Sequence, residues 1–198
     1  THVRSLGMEF GIWVEPEMIN PDSDLYRAHP DWLLAVPEYN QPTGRNQYAL
    51  DLQNPDVFAY LLERLDDLLN RYDISYIKWD MNREIVQPGH EGKAAITGQT
   101  HAVYRLFDEL RTRHPRVEIE SCASGGGRID FEVLKRTHRF WTSDNNDALE
   151  RQQIQRGMSY FFPPEVMGSH IGSAHCHCTA RSHSIQFRGL TALFGHMG

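Results

Sequence analysis

Four short apolar runs in this chain each stop abruptly at a cluster of polar and charged residues. Tyr76-Ile77-Lys78-Trp79 leads into Asp80-Met81-Asn82-Arg83, and residues 8–14 lead into Glu15-Pro16-Glu17. Residues 117–121 lead into Cys122-Ala123-Ser124-Gly125-Gly126-Gly127-Arg128, and residues 139–143 into Asp144-Asn145-Asn146-Asp147. Near-continuous apolar runs suit parallel strands covered on both faces, and barrel enzymes carry their chemistry at the C-terminal ends of such strands. Helical patterns separate the runs. Asn54 as a cap and Pro55 at the first helical position precede Phe58, Leu61, Leu62, Leu65, Leu69 and Tyr72, spaced at three and four, so a helix is predicted over 54–72. A second is predicted over about 99–114, with Val103, Leu106, Phe107 and Leu110 on one face and Pro115 as its stop. Shorter helices are expected at 130–137, 147–160 and 182–194, and further strands near 166–169 and 193–196.

Alternation of apolar strands with amphipathic helices points to a parallel α/β sheet, and functional groups at successive strand ends favour a (β/α)8 TIM barrel over a doubly wound sheet. Five or six strands cannot close an eight-stranded barrel. The expectation is a partial (β/α)8 barrel of about strands three to seven or eight with outer helices. Residues 1–198 would be one fragment of a catalytic barrel domain, its upstream units and flanking domains absent; the lack of an initial Met agrees with this. Residues 21–45, rich in Pro and Asn, read as a long loop after the first strand, where substrate-binding loops occur.

At 198 residues, 40% hydrophobic and 23% charged, the chain can bury a substantial core. Lys and Arg are outnumbered by Asp and Glu, 20 to 26, and form no basic run, which argues against a nucleic-acid partner and suits a neutral substrate. No apolar run is long enough to span a membrane. Three cysteines, two of them separated by one residue, do not make a disulfide framework, so a reducing cytoplasm is preferred.

Asp80 and Asp144 each directly follow an apolar strand, so on one barrel they can face each other across its mouth. Paired carboxylates are the minimum equipment for glycosidic cleavage, one acting at the anomeric carbon and one donating a proton to the leaving oxygen. Lys78, two residues before Asp80 and on the same strand face, favours its ionised form, which suits a nucleophile. Phe140, Trp141 and Ser143 supply no cation near Asp144, where partial desolvation could hold the proton of a general acid. The plainer alternative is that each Asp caps a following helix.

With these motifs in view, the sequence resembles the bacterial α-galactosidases of glycoside hydrolase family thirty-six. The resemblance rests on Trp13-Val14-Glu15-Pro16-Glu17-Met18, Lys78-Trp79-Asp80-Met81-Asn82-Arg83, the Cys122–Arg128 segment quoted above and Ser143-Asp144-Asn145-Asn146-Asp147, and it runs through nearly the whole chain. It implies a retaining double displacement on a terminal α-galactosyl unit, without cofactor or metal, with Asp80 as nucleophile and Asp144 as acid/base. It also implies sugar contacts from Trp13, Arg45, Lys78, Asn82, Cys122 and Gly125, an α-galactoside oligosaccharide such as melibiose or raffinose as substrate, and a possible homotetramer in the full-length protein. The family's upstream Asp-Asp-Gly-Trp segment, which holds galactose hydroxyls, has no counterpart here, and Asn146 stands where many relatives carry Thr.

Other uses of the same residues are weaker. His175, Cys176, His177 and Cys178 are consecutive and cannot easily converge on one tetrahedral zinc ion, so His170, His177 and Arg181 are expected to line the mouth near the acid/base instead. The Gly125–Arg128 run lacks the Lys-Ser or Lys-Thr of a phosphate loop. Cys122 is expected to wall the sugar pocket and Trp13 to stack on sugar, with Trp79 and Trp141 as core packing. Two alternatives remain: a galactosyl transferase of the raffinose-synthase kind, and a sugar-binding fragment that is inactive alone.

Overall fold

The computed structural model describes residues 2–198, and the chain divides into two compact units, Thr1–Glu118 and Ile119–Gly198. Each builds parallel strands backed by helices.

The first unit opens with the short helix α1 (His2–Ser5) and strand β1 (Gly11–Val14), which pairs in parallel with β4 (Tyr76–Trp79) and sets Trp13 opposite Lys78. Between them an excursion is closed at its neck by the antiparallel pair β2 (Met18–Ile19) and β3 (Tyr48–Ala49). The predicted long loop is therefore more ordered than its composition suggests. It contains α2 (Asp24–Ala28), whose first turn is capped by the Ser23 hydroxyl accepting from Tyr26 N–H, and it buries Trp32 and Leu34. Trp32 stacks on the His29 ring at 3.9 Å.

Helix α3 (Pro55–Arg71) forms as its pattern demands: Asn54 accepts from Asp56 N–H, Pro55 sits in the first turn, and Val57, Leu61, Leu62, Leu65 and Leu69 are buried. Tyr72, predicted inside the helix, is the extended residue that ends it. After β4 comes a small hairpin, β5 (Gly89–His90) with β6 (Lys93–Ala94), and then α4 (Ile96–Arg113). This helix starts three residues earlier than predicted. No side chain caps its N-terminus, and Gln99, almost fully buried within it, accepts from Leu52 N–H at 3.0 Å and donates to Leu50 O at 2.9 Å. A buried glutamine with both amide atoms used looks in sequence like a polar interruption. Trp79 meets Phe107 of α4 edge-on at 4.7 Å, so the Ile77/Trp79 face of β4 packs on helices and leaves the Lys78/Asp80 face for the site.

The second unit carries the parallel strands β7 (Glu118–Ser121), β8 (Arg139–Trp141), β9 (Met167–Ser169) and β10 (His196–Met197), paired in that order. Helices α5 (Phe131–Leu134), α6 (Ala148–Ser159) and α7 (Ile185–Ala192) alternate with them, each started by a side-chain cap from Asp130, Asp147 or Ser184. The short helix α5 ends before the predicted residue 137, and β10 begins later than predicted because α7 runs to Ala192. Ile119, Val133, Phe140, Phe162 and Met167 make the core. Among the described residues no helix is long and apolar enough to cross a membrane.

Candidate functional site

In the first unit the register of β1 against β4 and the two-residue period of a strand bring Trp13 and Glu15 onto the face that carries Lys78, Asp80 and Asn82. Asp80 leaves the end of β4 with its N–H donated to Val14 O at 2.9 Å and is 5% exposed. A buried carboxylate is tolerated only when its oxygens are hydrogen-bonded. Oδ1 accepts from Met81 N–H at 2.8 Å, and Oδ2 accepts from Trp13 Nε1 at 3.0 Å and Asn82 Nδ2 at 2.6 Å. Three donors, one on β1 and two just past β4, thus fix the direction of this carboxylate.

Asn82 also donates to Glu15 Oε1, so Glu15 sets the amide that in turn orients Asp80. Arg45 Nη1 lies 3.9 Å from Glu15. Arg45 and Asn46 form the tip of a two-residue hairpin closed by reciprocal Gly44–Gln47 hydrogen bonds, and both have positive φ, 49° and 59°. That is a type I′ turn, in which Asn is common and Arg is strained. Arg83 steadies it by donating to Gln47 O at 2.8 Å; burial pushes its guanidinium pKa down. Trp13, Arg45, Lys78, Asp80 and Asn82, all singled out in the sequence, gather at the ends of β1 and β4. Trp13 is about half exposed, and its indole N–H is engaged by Asp80 rather than pointing to solvent.

In the second unit Asp144 lies just past β8 and is exposed, not partly desolvated as its neighbours Phe140 and Trp141 suggested, because the chain turns outward after the strand. Trp141 Nε1 donates to its Oδ1 at 2.8 Å. Trp141 is itself held between rings and charge: His170 stacks at 4.3 Å and the Arg151 guanidinium lies 4.4 Å from the ring centroid. Arg151, on α6, is buried and donates to Thr142 Oγ1 at 2.5 Å and Gly168 O at 2.9 Å. Its pKa falls to about 10, because burial outweighs the opposing attraction of Glu120 and Asp144.

Asp144 caps no helix. The cap of α6 is Asp147, whose carboxylate accepts from Leu149 N–H at 2.9 Å and Glu150 N–H at 3.3 Å. Cys122 is buried immediately after β7. Gly125 has φ +79°, and a Cβ there would sit 2.9 Å from both Ser143 Cα and Asp144 N. A Cβ on Gly126 would lie 2.6 Å from Thr142 O. These two glycines therefore make room for the backbone that presents Asp144.

Glu15, Asp147 and Arg151 were not singled out by sequence reasoning. Glu15 and Asp147 stand inside the quoted motifs, so position was a signal for them. Arg151 lies on a helix face, where a lone Arg reads as solvated. Among the described residues, no group of three or more His, Cys, Asp or Glu side chains is arranged to hold a metal ion.

The family model for Melibiase matches residues 1–198. The chain belongs to the melibiase family. It is 72% identical over 197 residues to an alpha-galactosidase of Escherichia coli, covering 100% of this chain and 28% of that protein. It superposes on the crystal structure of the GH36 alpha-galactosidase AgaA from Geobacillus stearothermophilus with a TM-score of 0.95 and 40% sequence identity, over 99% of this chain and 28% of that one. A variant of AgaA in complex with raffinose is similar to the same degree, again with a TM-score of 0.95. The melibiase chain thus spans about 28% of the length of these relatives, and its fold is part of a (β/α)8 catalytic barrel.

Proposed function

We propose that the protein is a retaining α-galactosidase that hydrolyses terminal α-galactosyl units of oligosaccharides such as melibiose and raffinose. The observation that carries this reading is the carboxylate of Asp80: buried at a strand end and aimed by hydrogen bonds from Trp13, Asn82 and the Met81 amide. In a retaining mechanism Asp80 attacks the anomeric carbon, Asp144 protonates the departing sugar oxygen, and Asp144 then takes a proton from the water that releases galactose. Each assigned role suits its setting. A nucleophile benefits from a fixed direction, which three donors provide; a group that exchanges protons with leaving group and water benefits from exposure, which Asp144 has. Lys78, Arg45 and Asn82 offer charged and polar donors to sugar hydroxyls, with Trp13, Cys122 and Gly125 as further contacts. The relatives named alpha-galactosidase, and the raffinose complex of one of them, support the choice of substrate. With no disulfide joining its cysteines, a cytoplasmic setting fits the same proposal.

The test is product analysis of the full-length enzyme with raffinose or melibiose. Release of free galactose, abolished by Asp80→Ala, is the expected outcome. Growth of longer oligosaccharides in its place would mark a transferase, and galactose binding without turnover would mark a sugar-binding protein.

A further inference from the structure

Asp147 does more than cap α6. Its carboxylate has no exposed surface and gathers side chains from residues more than thirty positions away: the Thr179 hydroxyl and Arg181 Nε, at 2.8 Å, reach Oδ2, and His183 Nε2 lies 3.3 Å from Oδ1. Arg181 also pairs with Glu150. All three partners belong to one loop, residues 174–183, which is closed on itself by Cys176 N–H to Arg181 O at 2.9 Å, Ala180 N–H to Cys176 O at 2.8 Å and His183 N–H to Ala174 O at 3.0 Å. On its other side Asp147 is tied to the acid/base turn, since its N–H donates to Asn145 Oδ1 at 3.0 Å while Asn145 N–H donates to Ser143 Oγ at 3.1 Å. The loop plugs inward with buried Cys176 and turns His177 and Cys178 outward. Cys178, exposed and with its sulfur 3.3 Å from His177 Nε2, directly precedes Thr179, whose hydroxyl is held by Asp147.

A general acid must stand beside the oxygen it protonates, so the side chains exposed next to it face the departing group. We propose that Asp147 is a positioning residue that holds the Asp144 turn and the 174–183 loop together, and that this loop forms the wall of the leaving-group subsite with Cys178 nearest the departing sugar. The proposal rests on Asp144 being the acid/base.

The full-length enzyme is assayed with two substrates, raffinose and a dinitrophenyl α-galactoside whose leaving group needs little protonation. Asp144→Ala tests the underlying assignment and should lose kcat/KM on raffinose at least about 100-fold while keeping kcat/KM on the aryl substrate, which reports glycosylation alone, since release of galactose is slowed for both. Asp147→Asn should lower kcat/KM on raffinose about tenfold or more, leave kcat/KM on the aryl substrate within about threefold, and displace the limb of the kcat/KM–pH profile that reports the acid. Where Asp147→Asn fails to fold, Thr179→Val, which removes one clamping donor, should show the same selectivity more weakly. Cys178→Trp should raise KM for raffinose about tenfold, a displacement of the kind expected from lost uniform binding, with inhibition by galactose unchanged. Equal losses on both substrates in the Asp147 or Thr179 variants, with Asp144→Ala still selective, would overturn the positioning role. Cys178→Trp without effect on raffinose, or with equal weakening of galactose, would overturn the subsite. An unselective Asp144→Ala would remove the acid/base assignment and the proposal with it.

Discussion

Asp80 and Asp147 show two ways in which this chain keeps a carboxylate away from water. Asp80 accepts from Trp13, Asn82 and its neighbour Met81; its place at a strand end and the face it shares with Lys78 were readable from the period-two pattern, whereas the bond from Trp13 on the neighbouring strand was not. Asp147 was not readable. Its partners lie in a loop beyond α6 and β9, and no local pattern announces that Thr179, Arg181 and His183 will converge on it. Burial alone would raise the pKa of Asp147, but hydrogen bonds from Thr179, from the Glu150 and Leu149 amides and from Arg181 more than offset this and hold it well below the usual carboxylate range. A depressed pKa contributes stability above the unfolded value near about 3.9, and that contribution is lost as pH falls below it toward the folded value. The stability gap between the wild type and Asp147→Asn should therefore be full at neutral pH and shrink steadily as pH drops below about 4. Thermal unfolding at a series of pH values measures it, and a gap that stays constant from pH 7 down to about 2 would refute the account.

At the scale of elements, legibility followed whether the starting signal was local. Helix α3 carried an Asn cap, a first-turn Pro and an apolar stripe, and it formed with nearly its predicted bounds. Helix α4 was misplaced at its start because it begins without a side-chain cap, and its first turns carry a buried glutamine whose amide serves the backbone of Leu50 and Leu52. The short α2 was missed inside a stretch whose Pro and Asn content reads as loop, although Ser23 is an ordinary cap. The glycine-rich turn after β7 was recognised, but its close packing against the end of β8 was not. Gly125→Ala should therefore act on the presentation of Asp144: the added methyl meets the Ser143–Asp144 backbone and forces an Ala into positive φ, a cost of about 1 kcal/mol or more. Turnover of unactivated substrate is expected to fall several-fold or more, with urea denaturation reporting the loss of stability. An Ala variant equal to wild type in both would show that the backbone can yield there.

For the whole molecule, the α/β class was legible from alternation alone, and the partial barrel from the count of strands. The match of residues 1–198 to the melibiase family and the superposition on AgaA bear out that reading of fold and lineage. What alternation cannot supply is how side chains meet across elements, which is why the strand-end acids were found and their supporting residues Glu15, Arg151 and Asp147 were not. The central claim is chemical: Asp80 forms a bond to the sugar during turnover. It is tested most directly by treating the full-length enzyme with a galactosyl donor that carries fluorine in place of its second hydroxyl, a substitution that slows release of the glycosyl-enzyme, followed by mass spectrometry of the digested protein. A single added deoxyfluorogalactosyl mass on the peptide containing Asp80 is the predicted result; a label on any other carboxylate, or inverted product with no label at all, would contradict it.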